Sequence, residues 1–360
     1  MKDNNEINSN QLIFYTAASQ VGVGIIFLPA QLAEIEGHDG WISILIGGIT
    51  FSCFILVVIA LMNRYKMKSI YEINRLLYGK HIGYILNAFL IIYTILFSAV
   101  VIRMMVEAMQ LMGLKNTPRI VLTVFLIIPT IYTMNGGLKN ICRYLHIAVF
   151  IGTILAIYVL LAAAKVRLTF LMPIGEAGVK SIFRGAKISI FAFLGIELIP
   201  YIYSNVSDKK NIAKKVLLGN LFSTIIYMSV VITTTGLFGE EMLKELEIPL
   251  LSLARVCYSN ILERLDLYFV TTWVMAMGCV LRCYMFAGYF AAINTFNVKG
   301  KKWIVTLIFF TLVCGISLEP REFIYLKEWT KGLGWVGLSV IFLYFFNYIF
   351  SFIHKRGVSR

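Results

Sequence analysis

The chain has 360 residues, of which 59% are hydrophobic and 14% charged, against roughly 45–50% and 25% in soluble domains. That balance excludes an ordinary water-soluble globule. The formal net charge of +14 belongs to short segments flanking apolar runs, where cations meet anionic lipid headgroups, and no nucleic-acid motif accompanies it.

Read with a window of about 19 residues, the chain offers ten stretches able to cross ~30 Å of hydrocarbon. They are residues 11–35, 41–63, 82–112, 118–134, 141–164, 184–206, 215–239, 267–293, 303–318 and 333–353. Backbone groups in hydrocarbon must be bonded internally, so such spans are helices or barrel strands. These runs are too long, and apolar on too many sides, to be barrel strands of about ten alternating residues. The expected fold is an all-α integral membrane protein, a single transmembrane domain over residues 1–360. The polar start, Met1 to Asn10, carries one Lys; a secretory signal has a more basic start and a shorter core, so the first span is expected to be retained.

Span 1 is interrupted by Gly22, Val23 and Gly24 and carries Pro29. Span 3 holds Tyr93 and two ionisable residues, Arg103 and Glu107, spaced to pair along one helix face. His146 in span 5 has no second ligand beside it and reads as a packing or interfacial residue. Span 6 contains Phe191, Phe193, Gly195, Glu197 and Pro200, and span 8 contains Thr271, Thr272 and Arg282. A charge at the bilayer centre costs roughly 2.5–3.5 kcal/mol on insertion scales. Glu197 and Arg282 therefore need partners. Two readings stay open: a structural ion pair joining spans 6 and 8, or a Glu197 acceptor for a ligand amine or a proton with Arg282 as counter-charge. The six cysteines show neither zinc nor redox spacing and read as reduced thiols. Nucleophile, metal and phosphate-loop motifs are absent, so no enzyme, metal site or cofactor is expected.

Two segments read alike, Gly24-Ile25-Ile26-Phe27-Leu28-Pro29 and Gly195-Ile196-Glu197-Leu198-Ile199-Pro200. With five spans per half, the second copy starts from the opposite side of the bilayer, which makes a 5+5 inverted repeat of about 11–164 and 184–353. Gly loosens a helix and Pro removes a donor, so helix breaks are expected at Gly24, Pro29, Gly195 and Pro200. Matched interruptions of this kind point to a midplane ligand site. The candidate ligand-binding residues are Gly22, Val23, Gly24, Tyr93, Phe191, Phe193, Gly195, Glu197, Thr271 and Thr272. With the N-terminus inside, inner segments hold 18 of the 33 Lys/Arg and 4 of the 19 Asp/Glu. Both termini are accordingly placed in the cytoplasm.

At Gly22-Val-Gly-Ile-Ile-Phe-Leu-Pro29, Phe193-Leu-Gly-Ile-Glu197, Asp208-Lys-Lys-Asn-Ile-Ala-Lys-Lys215 and Ile248-Pro249-Leu-Leu-Ser-Leu-Ala-Arg255 the chain resembles the spore germination permeases, the B subunits of germinant receptors. The following Leu262-Glu-Arg-Leu-Asp266 departs from the common pattern, which has Glu where Asp266 stands. That family is similar in fold to amino acid–polyamine–organocation transporters. The resemblance implies a small germinant, foremost an amino acid, bound among helices 1, 3, 6 and 8. It also implies an A subunit and a C-subunit lipoprotein as partners, and residence in the inner spore membrane. An amino-acid secondary transporter, proton-coupled through Glu197, and a ligand-gated ion or water pathway use the same parts and stay open as alternatives.

Overall fold

Uninterrupted apolar sequence sets helix length in this chain, and glycines set where helices bend or stop. The computed structural model describes residues 5–22, 24–65, 68–256, 265–298, 300–319 and 323–353. Helices α1 (Gln11–Gln20) and α2 (Gly24–Glu36) share the first crossing, and a tight turn, Gly37–Asp39, leads into α3 (Gly40–Arg64). α4 (Ile70–Met112), α5 (Arg119–Asn135) and α6 (Leu138–Ala163) complete the first half. The second half opens with α7 (Gly178–Ala192) and the four-residue α8 (Ile199–Ile202), which together form the sixth crossing. It continues through α9 (Ile212–Glu245), α10 (Pro249–Val256), α11 (Leu265–Thr295), α12 (Lys302–Ser317) and α13 (Phe323–Ile353). The ten predicted spans thus each acquire a helix or a broken pair, and α10 is a short addition that begins with proline, where a missing N–H costs nothing.

Local sequence explains the departures from straight rods. α4 starts at Ser69, whose N–H is bonded by the Glu72 carboxylate at 2.8 Å, and turns at Gly79, where φ is +79°. The segment before Gly79 is a lead-in to the crossing that hydropathy did not foresee. α9 bends in the same way at Gly239, with φ +71°. The N-terminal tail is tied down by a bridge between Ile7 and Val206, so it joins the far end of the sixth crossing.

Among the described residues, five helical stretches are long and apolar enough to cross a membrane. Large side chains such as Ile85, Phe125, Phe150, Trp303 and Phe346 are exposed around the bundle. A surface so apolar suits hydrocarbon, not water. Aromatic contacts run through a mainly aliphatic interior: α11 lies along α4 with Tyr284 stacked on Phe97, ring centres 3.9 Å apart, and Phe193 packs on Phe51 and Tyr227.

The breaks differ from expectation in position. In the first crossing the helix stops after Gln20 and resumes at Gly24. In the sixth it stops after Ala192 and passes through Gly195 at φ +133°. Gly24 and Gly195 stand at these edges, but Pro29 lies inside α2 and Pro200 in the first turn of α8. Neither proline makes a break. Pro29 forfeits a single hydrogen bond within an otherwise continuous helix, and Pro200 sits where the N–H would be unpaired anyway.

Candidate functional site

Breaking a helix in hydrocarbon strands backbone carbonyls, and the fold supplies donors for them. The Gln20 side-chain amide, at the end of α1, donates to the Phe193 carbonyl at 2.9 Å and to Asn220 Oδ1 at 2.9 Å. Asn220 of α9 donates in turn to the Gly48 carbonyl and Ser52 Oγ of α3. The Tyr227 hydroxyl, one helical face further along α9, reaches the Gln20 carbonyl at 2.8 Å and the Ala192 carbonyl at 2.9 Å. One network therefore holds both breaks. The two breaks also touch directly: a Cβ on Gly195 would lie 2.7 Å from the Ser19 backbone, and one on Gly24 would lie 3.0 Å from the Ala192 Cα. Tyr227→Phe strands two buried carbonyls, an expected loss of about 1–3 kcal/mol that thermal unfolding of the purified protein measures.

Beside this junction lies a cavity of about 100 Å³. Ser19, Gln20 and Gly24 form one wall, Phe97, Phe191 and Leu194 others, and Gln31 and Lys331 also line it. A water-sized group needs about 10–15 Å³ by this measure, so the space suits a ligand of roughly seven to ten heavy atoms. Gln20 is 3% exposed, and its Oε1 has no hydrogen-bond partner. Because its Nε2 is committed to two acceptors, that oxygen is a buried acceptor left over on a residue that lines the cavity.

Glu197 lies behind the cavity, fully buried. Its Oε1 accepts from Tyr93 of α4 at 2.8 Å and Tyr284 of α11 at 2.5 Å, and its Oε2 accepts from the Gly195 N–H at 2.7 Å. Tyr344 of α13 donates to the Glu197 carbonyl. Three helices, α4, α11 and α13, thus converge on one residue of the break. Glu197 and Arg282 are not an ion pair: Arg282 donates to the Gly278 carbonyl and lies over the Tyr144 ring, 3.8 Å from its centre. The aromatic face holds the guanidinium where a carboxylate was expected. Arg103 and Glu107 do meet, at 2.5 Å.

Of the residues singled out from sequence, Gly24 and Phe191 line the cavity, and Gly195 stands at the break beside the lining Leu194. Gly22 packs at the first break, where an added Cβ would strike Val280. Tyr93 and Glu197 are bonded to each other one layer away. Phe193 points into the core. Thr271 and Thr272 are elsewhere, each hydroxyl bonded to the Tyr268 carbonyl of its own helix. Val23 lies outside the described residues. Sequence reasoning passed over Gln20, Asn220 and Tyr227, although an uncharged polar residue at the end of a glycine-broken helix is itself a signal.

Comparison with known proteins fits this architecture. The closed nucleobase-cation-symport transporter Mhp1 with bromovinylhydantoin bound superposes with a TM-score of 0.67 at 15% identity, covering 93% of this chain and 77% of that one. A Na+-coupled sialic acid symporter in its substrate-bound outward-open state gives 0.66 at 10% identity, over 95% and 80%. The fold is therefore that of ten-helix transporters built as two inverted five-helix halves. In sequence, spore germination protein B2 of Bacillus subtilis is 26% identical over 99% of this chain and 98% of its own length. Spore germination protein GerQB of Bacillus cereus is 23% identical over 93% of each. The family model described as spore germination protein matches residues 6–324, and the chain belongs to that family.

Proposed function

We propose that this protein is the ligand-binding B subunit of a germinant receptor, and that a small amino acid occupies the cavity at the two breaks. The observation that carries this reading is the unpartnered Oε1 of Gln20, a residue that lines a cavity of matching size. An ammonium group supplies the donor that this oxygen lacks, and the N–H groups opening α2 at Gly24 suit a carboxylate. Phe97 and Phe191 then face the ligand side chain. Because Gln20 also holds the Phe193 carbonyl and Asn220, a ligand on Gln20 acts on both breaks and on α9. A ligand signals only through unequal affinity for two conformations, and this junction is where the conformations would differ.

In this reading residues 1–360 act as one unit with the site at the seam of its two repeats. Both termini and the Lys209–Lys215 segment face the cytoplasm of the spore interior across the inner membrane, and an A subunit and a C-subunit lipoprotein receive the signal. The symporter folds favour a second reading, transport of the same ligand. Calorimetric titration of the protein in lipid nanodiscs with single amino acids, sugars and nucleosides tests the first. One class of amino acid should bind, and Gln20→Ala should weaken it about tenfold or more, the worth of one buried hydrogen bond to a charged group. No amino-acid binding, or unchanged affinity in Gln20→Ala, refutes the site. Concentrative uptake by proteoliposomes of this chain alone would move the assignment to transport.

A further inference from the structure

At the outer ends of α2, α3 and α7 a second buried carboxyl has gone unassigned. Glu36 closes α2 and is 3% exposed. Its Oε2 lies 2.7 Å from Ser43 Oγ of α3, and the same Oγ lies 2.7 Å from the Ile182 carbonyl of α7. A serine hydroxyl has one hydrogen, and here it faces two acceptors at full hydrogen-bond distance. Each contact is a full bond, and not half of a shared one, when one acceptor brings a hydrogen of its own. A backbone carbonyl has none to bring, so it comes from Glu36.

The surroundings agree. The other oxygen, Oε1, is buried without a partner and rests on Gly185 of α7, where a Cβ would come within 2.0 Å of it. A charged oxygen in that place would be stranded in a medium that penalises it heavily. Among the described residues no cation pairs with Glu36. From the turn after α2, Asp39 adds its negative field while its oxygens accept from the Gly175 and Ala177 N–H groups. His38 faces the Pro173 carbonyl and Glu240 of α9, and Glu240 is paired with Lys244. Glu176 is exposed on the connecting loop. On α7, Lys180, Arg184 and Lys187 are exposed, as is Glu34 on α2, and α3 brings no ionisable side chain but Cys53 before Arg64, at its far end.

We propose that Glu36 is a proton-binding site that fastens the outer ends of α2, α3 and α7. Protonated, Glu36 donates through Oε2 to Ser43, and Ser43 donates to Ile182, so one chain of hydrogen bonds crosses three helices. When the proton leaves for the outer solution, the carboxylate takes the Ser43 hydrogen, because a charge-assisted bond is about twice as strong as a neutral one. Ile182 then keeps only the N–H of its own helix, and the outer end of α7 loosens from α3. The outer end of the cavity is thereby opened or closed by a proton, whichever ligand occupies it.

Infrared difference spectroscopy of the protein in nanodiscs reads the proton directly. At about pH 6, where exposed carboxyls near their reference value of about 4.3 are ionised, the wild type should show a carboxylic C=O band that Glu36→Gln lacks. An unchanged band means that Glu36 is ionised and overturns the proposal. Spin labels at Leu45→Cys and Phe183→Cys, both exposed, on a background of Cys53→Ser and Cys257→Ser, read the fastening and need no change at Glu36. Their separation should lengthen as pH rises from about 5 to about 9. It should stay short throughout in Glu36→Gln, whose amide donates to Ser43 at every pH, and stay long in Ser43→Ala. A separation independent of pH in the otherwise wild-type protein overturns the fastening.

Discussion

Replacing Glu197 with alanine is expected to cost the protein its folded state in mild detergent. The substitution strands the Tyr93 hydroxyl, the Tyr284 hydroxyl and the Gly195 N–H, all of which donate to that carboxylate. Each buried donor without an acceptor costs about 1–3 kcal/mol. Three together approach the ~5–15 kcal/mol by which whole domains are stable. Glu197→Gln should behave very differently. Its oxygen can accept from Gly195 while its NH2 donates to the tyrosine oxygens, which serve equally well as acceptors. The expected loss is about 1 kcal/mol, with a monodisperse protein retained. Size-exclusion profiles and thermal unfolding of the two variants check this, and an alanine variant that melts with the wild type would show that the tyrosines find other partners.

Gly195→Ala carries the second large effect, and it acts on the site more than on the fold. The backbone at φ +133° is open to glycine and costs other residues on the order of 1–3 kcal/mol. The new methyl would also stand 2.7 Å from the Ser19 carbonyl carbon and oxygen, which belong to the opposite break and cannot turn aside as a side chain would. Relief requires the first and sixth crossings to part at the cavity wall. Ligand binding should fall below detection in the titration that defines the wild-type ligand, while the variant still inserts and purifies. Retained affinity would mean that the breaks can separate without disturbing the site.

How much of this was visible beforehand depended on what kind of signal each feature leaves. Hydropathy located the crossings because lipid demands long apolar runs, and it missed α10 and the lead-in before Gly79 because short amphipathic pieces do not change a long average. The matched Gly-Ile segments led to the correct two helices. The prolines within them misplaced the breaks, since a proline interrupts a helix only where its missing donor or its ring falls against an established turn, and Pro200 falls in a first turn. Glu197 stood out as a charge in a membrane, but the pairing with Arg282 failed because aromatic residues satisfied both ions. Tyrosines count as apolar in such a survey although their hydroxyls do the bonding. Asn220 and Tyr227 were hidden for a related reason, and Gln20 is marked only by its place at the end of a glycine-broken helix: composition does not separate an amide that spans two helix breaks from one that faces solvent.

The hydroxyl of Tyr227 has one hydrogen, and two carbonyls, one from each repeat, compete for it at nearly equal distance. If either carbonyl withdraws, the other receives an undivided bond. Loosening one break therefore tightens the other, and letting both go at once forfeits the hydrogen altogether. On that count the pair would act as a see-saw on a single pivot, with two favoured tilts and a disfavoured lift. A small occupant that favours one tilt would, in the receptor reading proposed above, be answered by a choice of side.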